Sequence, residues 1–272
     1  MNASRAEIAG IVARESAETI VGLAGGRRVT ALRRLLQPAA HLVARRFVEY
    51  DSALGERGSY RGAEWVVARA TGGLAVTGAE HIPSTGPLLV VANHPGLADA
   101  VSLLASMRRE DAWIVTANYP FLRALRSANR RFLFVDAHCT ALRHIVRRLR
   151  AGDAVLLFPA GGLEPDPART PIGARDSLAT WSQSIELIAR LARDTRILPA
   201  VVSGAVSQSA FDHPLARRRS PARERQRLAS LLQLAVPAFQ HQPVSVRFGR
   251  PISASAEGVQ RRVFAAMSEL MA

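Results

Sequence analysis

From Gly73 onward the chain alternates short apolar runs with longer amphipathic ones, and this limits the fold more than any other feature. The runs LAVTG, PLLVVAN, AWIVTA, RFLFVDA, AVLLFPA, RILPAVVSG and VSVRFGRPI are dominated by Val, Ile, Leu, Ala and Phe. Helical spacing occupies 97–107, 119–127, 139–150, 176–193, 221–237 and 256–271. Apolar strands without polar alternate positions fit a sheet covered on both faces. Strand–helix alternation makes such a sheet largely parallel. The expectation is an α/β domain over 73–272, a largely parallel sheet flanked by helices.

Residues 1–72 read differently, as N-terminal helices packed on that domain or on a membrane surface. Ile8, Ile11, Val12, Ile20 and Val21 recur at roughly helical spacing in a first helix. In a second, VTALRRLLQPAAHLVARRFVEY, the apolar side carries Leu32, Leu35, Leu36, Leu42, Val43 and Phe47. Arg33, Arg34, Arg45 and Arg46 take the other side, and Pro38 is expected to kink or split the helix. A basic amphipathic helix either buries its stripe against the domain or lies in a membrane interface. No leader-like segment and no apolar run of about 18 residues is present. The expectation is a cytoplasmic protein, peripheral on the inner face of the membrane.

Charge narrows the partners. The sequence has 36 Lys+Arg against 22 Asp+Glu, a net charge of +14, and no lysine at all. An all-arginine surplus suits phosphate and carboxylate partners through bidentate guanidinium contacts. Aromatic residues make up 6% and no zinc-finger, RNP or KH signature is present, which argues against nucleic acid and for an anionic membrane surface or anionic substrate. The stretch HPLARRRSPARERQRLAS is either a solvated face or a contact for phospholipid head groups. One cysteine, Cys139, excludes an internal disulfide. His41, His81, His138, His144, His213 and His241 lack metal-ligand spacing, and neither metal nor other cofactor is expected.

The chemistry concentrates in NHPGLAD. A strand ends at Asn93, Pro95 suits the first position of a helix, and His94 falls at the carboxyl edge of the sheet, where α/β proteins place ligands. Asp99, in the first helical turn, can reach back to one imidazole nitrogen and raise the basicity of the other. The same residues also read as a histidine near a helix start with an acid placed against the dipole. Spacing alone leaves both open.

Further blocks decide between them. NHPGLAD resembles the first block of the glycerolipid acyltransferase superfamily, the PlsC-like lysophosphatidate acyltransferases, whose signature is Asn-His-x4-Asp after a strand. RFLFVDA resembles the second block, AVLLFPAGG the third and RILPAVVSG the fourth, all in family order between Leu89 and Gly204. The resemblance implies an acyltransferase of the 1-acylglycerol-3-phosphate O-acyltransferase kind. It moves a fatty acyl group from acyl-CoA or acyl-carrier protein to a hydroxyl of a lysophospholipid-like or other amphiphilic acceptor. His94 becomes the general base and Asp99 its orienting partner. Asn93, Phe158, Pro159, Gly161 and Gly162 become substrate-binding residues.

Two positions depart from the family. Ala137 replaces the second block's arginine, a contact for the acceptor's phosphate, and Ala160 replaces the third block's glutamate. The FPAG form, together with Trp181 and Ser184 as a Trp-x-x-Ser motif, resembles a haemolysin-like branch. Arg130 or Arg131 could recover the phosphate contact, and Glu164 the carboxylate. Two other classes stay in view: a thioesterase-type hydrolase using the same dyad on water, and a non-catalytic membrane-surface binding protein.

Overall fold

The computed structural model describes residues 5–21, 27–135, 140–220 and 222–272. Each apolar run forms a strand: β1 (Leu74–Thr77), β2 (Leu88–Ala92), β3 (Ala112–Ala117), β4 (Phe132–Val135), β5 (Ala154–Leu157), β6 (Arg196–Ser203), β7 (Val244–Phe248) and β8 (Ile252–Ser253). They join one sheet in the order β1-β7-β6-β2-β5-β3-β4, with β8 beside β6. From β6 to β4 all neighbours are parallel. β7 and β8 run antiparallel to β6. The fold class is α/β with a mostly parallel sheet, as the apolar runs require.

The helices are α1 (Arg5–Val21), α2 (Arg27–Arg57), α3 (Ser59–Ala70), α4 (Asp99–Met107), α5 (Pro120–Ala124), α6 (Thr140–Arg150), α7 (Pro171–Ser177), α8 (Ser184–Leu191), α9 (Gln208–Phe211), α10 (Pro214–Arg217), α11 (Ala222–Ala235) and α12 (Val259–Leu270). One sheet face buries Leu89, Val91, Val155, Ile197 and Val201 under Leu149, Ile185, Ile188, Val263 and Met267 of α6, α8 and α12. The other buries Leu88, Val90, Leu156, Leu198 and Val202 under Ala63 and Val67 of α3 and Val101 and Leu104 of α4. All five residues of β2 are fully buried, which is why that strand shows no polar alternation. Pro199, inside β6, falls opposite the 249–251 break between β7 and β8, so its missing N–H interrupts no regular pairing there.

Several boundaries differ from the sequence reading. Residues 27–57 form one helix through Pro38, which neither ends nor divides it. The residue is exposed, so the carbonyl it leaves unpaired one turn earlier faces solvent. From Ala40 onward the apolar stripe of α2 packs on α1: Ala40, Val43 and Ala44 meet Ile8, Ala9, Val12 and Ala13, with Leu125 and Ala128 closing the cluster. The side chains of Ile20, Val21, Leu32, Arg33, Leu35 and Leu36 lie outside those described. Asp51 fastens α2 to the approach to β4 by accepting the Arg126, Ser127 and Ala128 N–H groups, each at 2.8 Å. The expected helix over 176–193 divides into α7 and α8, because the Trp181 indole between them is held elsewhere by a buried acid. Among the described residues no helix is long and apolar enough to cross a membrane.

Candidate active site

β2 stands at the middle of the strand order, between β6 and β5 and parallel to both, and its carboxyl end delivers Asn93 and His94 to the sheet's edge. The helix that follows begins at Asp99, not near Pro95, so Pro95 to Ala98 form a turn. That turn folds back far enough for His94 Nδ1 to meet Asp99 Oδ2 at 2.7 Å. Asp99 is wholly buried and also accepts the N–H groups of Gly96 at 3.1 Å and Ala100 at 2.6 Å. An acid with all its contacts as acceptor requires the proton to sit on Nδ1. Nε2 is then the basic nitrogen, and among the described residues it has no hydrogen-bond partner. The His94 side chain is 26% exposed, so the dyad is open on one side only. Phe158, just after β5, stacks on the imidazole with centroids 4.6 Å apart and planes inclined by 28°, which fixes the ring's plane.

Electrostatics favour a strong base. Burial opposes charge on His94, but the Asp99 charge and hydrogen bond, with Glu164 adding, outweigh it and hold the imidazole above its ordinary value; Arg223 pulls the other way.

The backbone of the turn is fastened at each residue. The Asn93 carboxamide donates to Val202 O at 2.9 Å and accepts Val202 N–H at 2.8 Å, joining the ends of β2 and β6. His94 N–H donates to Glu164 Oε2 at 3.0 Å, while Glu164 N–H donates to His94 O at 2.8 Å. Gln226 of α11 donates to Pro95 O at 2.5 Å. Glu164 is 3% exposed, and its other oxygen accepts the Trp181 indole at 2.7 Å and the Ser177 hydroxyl at 2.8 Å. Burial raises the Glu164 carboxyl above the usual carboxylate range, and these donors only partly counter it. Two residues on, fully buried Asp166 ties the same loop to the end of β6 through Gly204 N–H at 2.9 Å and Val206 N–H at 3.0 Å.

The sequence-predicted residues therefore separate into groups. His94, Asp99 and Phe158 meet at one point. Asn93 and Glu164 are turned inward with their polar atoms occupied by protein, so neither has a free group for substrate; both hold the turn. Pro159 is buried and its carbonyl accepts the Ser182 N–H; next to it Gly161 is exposed, at a φ of 65°, and Gly162 is half-buried. Ser184 opens α8, its hydroxyl 2.8 Å from Ser182 Oγ. Arg130 and Arg131 are not brought to the site. They precede β4, at the amino edge of the sheet, and the Arg131 guanidinium lies 5.5 Å from the Trp113 ring at the start of β3. Ala137, His138 and Cys139 lie outside the described residues. Asp166, Gln226 and Arg223 were not singled out by sequence, and only the arginine cluster around position 223 carried a signal. The Nδ1 atoms of His41, His81 and His213 bond to backbone groups. Among the described residues no group of three or more His, Cys, Asp or Glu is placed to hold a metal.

Asn93→Ala is expected to leave the Val202 N–H and C=O buried and unpaired. The cost is about 2–4 kcal/mol, which thermal unfolding should register as a fall of several degrees.

Residues 73–203 match the family model described as Acyltransferase. Among solved structures the chain is similar to the 1-acyl-sn-glycerophosphate (LPA) acyltransferase PlsC of Thermotoga maritima, with 18% identity over 88% of this chain and 81% of that one, at a TM-score of 0.48. No curated protein matches the chain in sequence.

Proposed function

We propose, on the premise that residues 73–203 belong to the acyltransferase family, that this protein transfers a fatty acyl group from a thioester to the hydroxyl of an amphiphilic acceptor. The observation that carries the mechanism is the 2.7 Å contact of His94 Nδ1 with a buried Asp99, with Nε2 left without a partner among the described residues. Nε2 removes the acceptor's hydroxyl proton as the oxygen attacks the thioester carbonyl carbon. The new C–O bond gives a tetrahedral oxyanion. On its collapse the C–S bond breaks, and the leaving thiolate takes the proton back from the imidazolium. Ester and free thiol result, and no acyl-enzyme is formed. Asp99 holds the tautomer and stabilises the imidazolium.

The donor is acyl-CoA or acyl-carrier protein, and the acceptor a lysophospholipid or a related lipid alcohol. Leu97, in the catalytic turn, and Val135, at the carboxyl end of β4, are 40% and 50% exposed on the same edge of the sheet, which suits an apolar chain or a lipid surface there. In this reading the basic chain works as a peripheral protein on the inner face of an anionic membrane, with no nucleic-acid partner. A thioesterase reading would use the same Nε2 on water.

The pH profile tests the base. Only neutral His94 can accept a proton, so kcat/KM rises with pH through the imidazole pKa, which lies above the ordinary 6.5. Asp99→Asn removes the largest influence raising that pKa and leaves burial in place. The acid limb should therefore move to lower pH while the plateau falls by about 100-fold or more. An acid limb that stays put in Asp99→Asn would contradict the dyad.

A further inference from the structure

The outer side of the helical layer over one sheet face carries a patch that the reaction above does not use. α6 exposes Arg143, Arg147 and Arg150, spaced four and three residues apart, so they form one stripe about 10 Å long. α6 holds no acid, and among the described residues Arg143 and Arg147 have no hydrogen bond or ion pair. Beside it α8 exposes Leu187 and Leu191, one turn apart, at 45% and 40%. The Arg150 guanidinium donates to Leu191 O at 2.8 Å and fixes the two stripes side by side. Glu186, the one acid of α8, is taken up by Arg190 at 3.6 Å and by the Gln260 N–H at 3.3 Å. A lone exposed leucine means little. Two on one helix face, rimmed by charges of one sign, mark an interaction surface.

Charge and direction select the occupant. A second copy would bring a chain of net charge +14 onto a basic face, which like charge opposes. A bilayer that feeds the acceptor to Nε2 lies across the carboxyl edge, where Leu97 and Val135 are exposed. The two stripes instead run down the side of the sheet, from the carboxyl ends of the strands toward their amino ends. What fits them is a protein presenting a helix with acids beside apolar residues. The reaction has a place for such a protein, as carrier of the thioester. The face also adjoins the dyad. α8 begins at the catalytic loop, where the Ser182 N–H meets Pro159 O at 3.1 Å, and Leu187 lies one turn, about 5 Å, past Ser184. We propose that the arginine stripe of α6 and the leucine pair of α8 form the docking surface for an acidic acyl-carrier protein, which presents its thioester at the carboxyl edge while the lipid acceptor arrives from the membrane. This rests on the transferase reading, and it makes a carrier protein, rather than coenzyme A, the donor that this chain selects.

The test separates docking from turnover. The full chain is titrated calorimetrically with a purified acyl-carrier protein of net negative charge, free of acyl group, and with anionic phospholipid vesicles. Initial rates are then measured with one acyl chain carried either on that protein or on coenzyme A. The variants are Arg143→Glu with Arg147→Glu, Leu187→Gln with Leu191→Gln, and, as a control of equal charge change away from this face, Arg217→Glu with Arg218→Glu. All six side chains are exposed, so the fold should persist. Each of the first two pairs should weaken carrier binding, and lower kcat/KM with the acyl carrier, by about tenfold or more. Both should leave kcat/KM with acyl-CoA within about twofold, and the control should leave carrier binding within the same margin. No carrier binding by the wild type, equal losses with both donors, or an equal loss in the control would overturn the docking surface. So would variants that lose vesicle binding and keep the carrier. If the carrier binds through these residues yet neither donor yields an acylated lipid, the transferase reading fails and the docking surface stands.

Discussion

Replacing His94 by alanine is expected to lower acyl transfer by about 10²–10⁴-fold, the range spanned by loss of a positioned general base. The fold should survive. His94 is a quarter exposed, its backbone bonds to Glu164 do not involve the ring, and the pocket it leaves is walled by Phe158. Buried Asp99 loses one partner and keeps the Gly96 and Ala100 N–H groups. Thermal unfolding should therefore change little while the rate collapses. The loss should fall on kcat, since Nε2 acts on the hydroxyl in the transition state and contributes little to holding either substrate. Unchanged kcat in a folded His94→Ala protein would remove the base from the mechanism.

Glu164→Ala is expected to act on both stability and rate. It strips the acceptor from the His94 N–H and the Trp181 indole, while the Ser177 hydroxyl keeps the Ala174 carbonyl at 2.7 Å. Buried donors left unpaired cost about 1–3 kcal/mol each, offset in part because the carboxyl is itself costly to bury. A net loss of about 3 kcal/mol, or roughly 6–12 °C in Tm, is the expectation. The freed His94 backbone lets the imidazole drift, and a misplacement of about 1 Å lowers kcat by up to 10²-fold. Glu164→Gln keeps one acceptor oxygen and should recover part of both losses. The pH dependence has a definite sign. Burial lifts the Glu164 carboxyl above its unfolded value, so the native state holds that proton more tightly. The stabilisation is full below the unfolded pKa and is lost as pH rises through the raised one. Urea titrations across this window should show a weaker pH dependence in Glu164→Gln than in the wild type. A Glu164→Ala protein with native stability and native kcat would leave this carboxyl as a bystander.

What could be read from the sequence follows from how far apart the interacting residues lie. The strands were legible because a fully buried strand needs no long-range information to declare itself, and Leu88–Ala92 is apolar throughout. The contact of His94 with Asp99 was legible because only the turn from Pro95 to Ala98 separates them. The brace around them was not. Asn93 meets Val202 across 109 residues, His94 meets Glu164 across 70, and Gln226 reaches Pro95 across 131. No spacing rule spans such distances. Sequence proximity also misled. Arg130 and Arg131 adjoin the run that resembles the family's second block, but a strand has two ends. The four residues of β4 put them roughly 13 Å from the edge where His94 lies. In the other direction, Arg223 stood in a charged stretch that read as a solvated face or a head-group contact, and only the packing of α11 on the catalytic turn brings it to Gly162. Trp181 broke an expected helix for the same reason: Glu164 holds its indole.

The most direct test of acyl transfer is a mass balance on the wild-type protein. It would be incubated with an acyl thioester, with and without a lysophospholipid, and thiol, free fatty acid, acylated lipid and intact protein mass would be measured together. Direct attack predicts thiol release that depends on the acceptor, one acylated lipid per thiol released, little free fatty acid and no mass added to the protein. Thiol release matched by free fatty acid regardless of acceptor, or a protein carrying the acyl group, would contradict it.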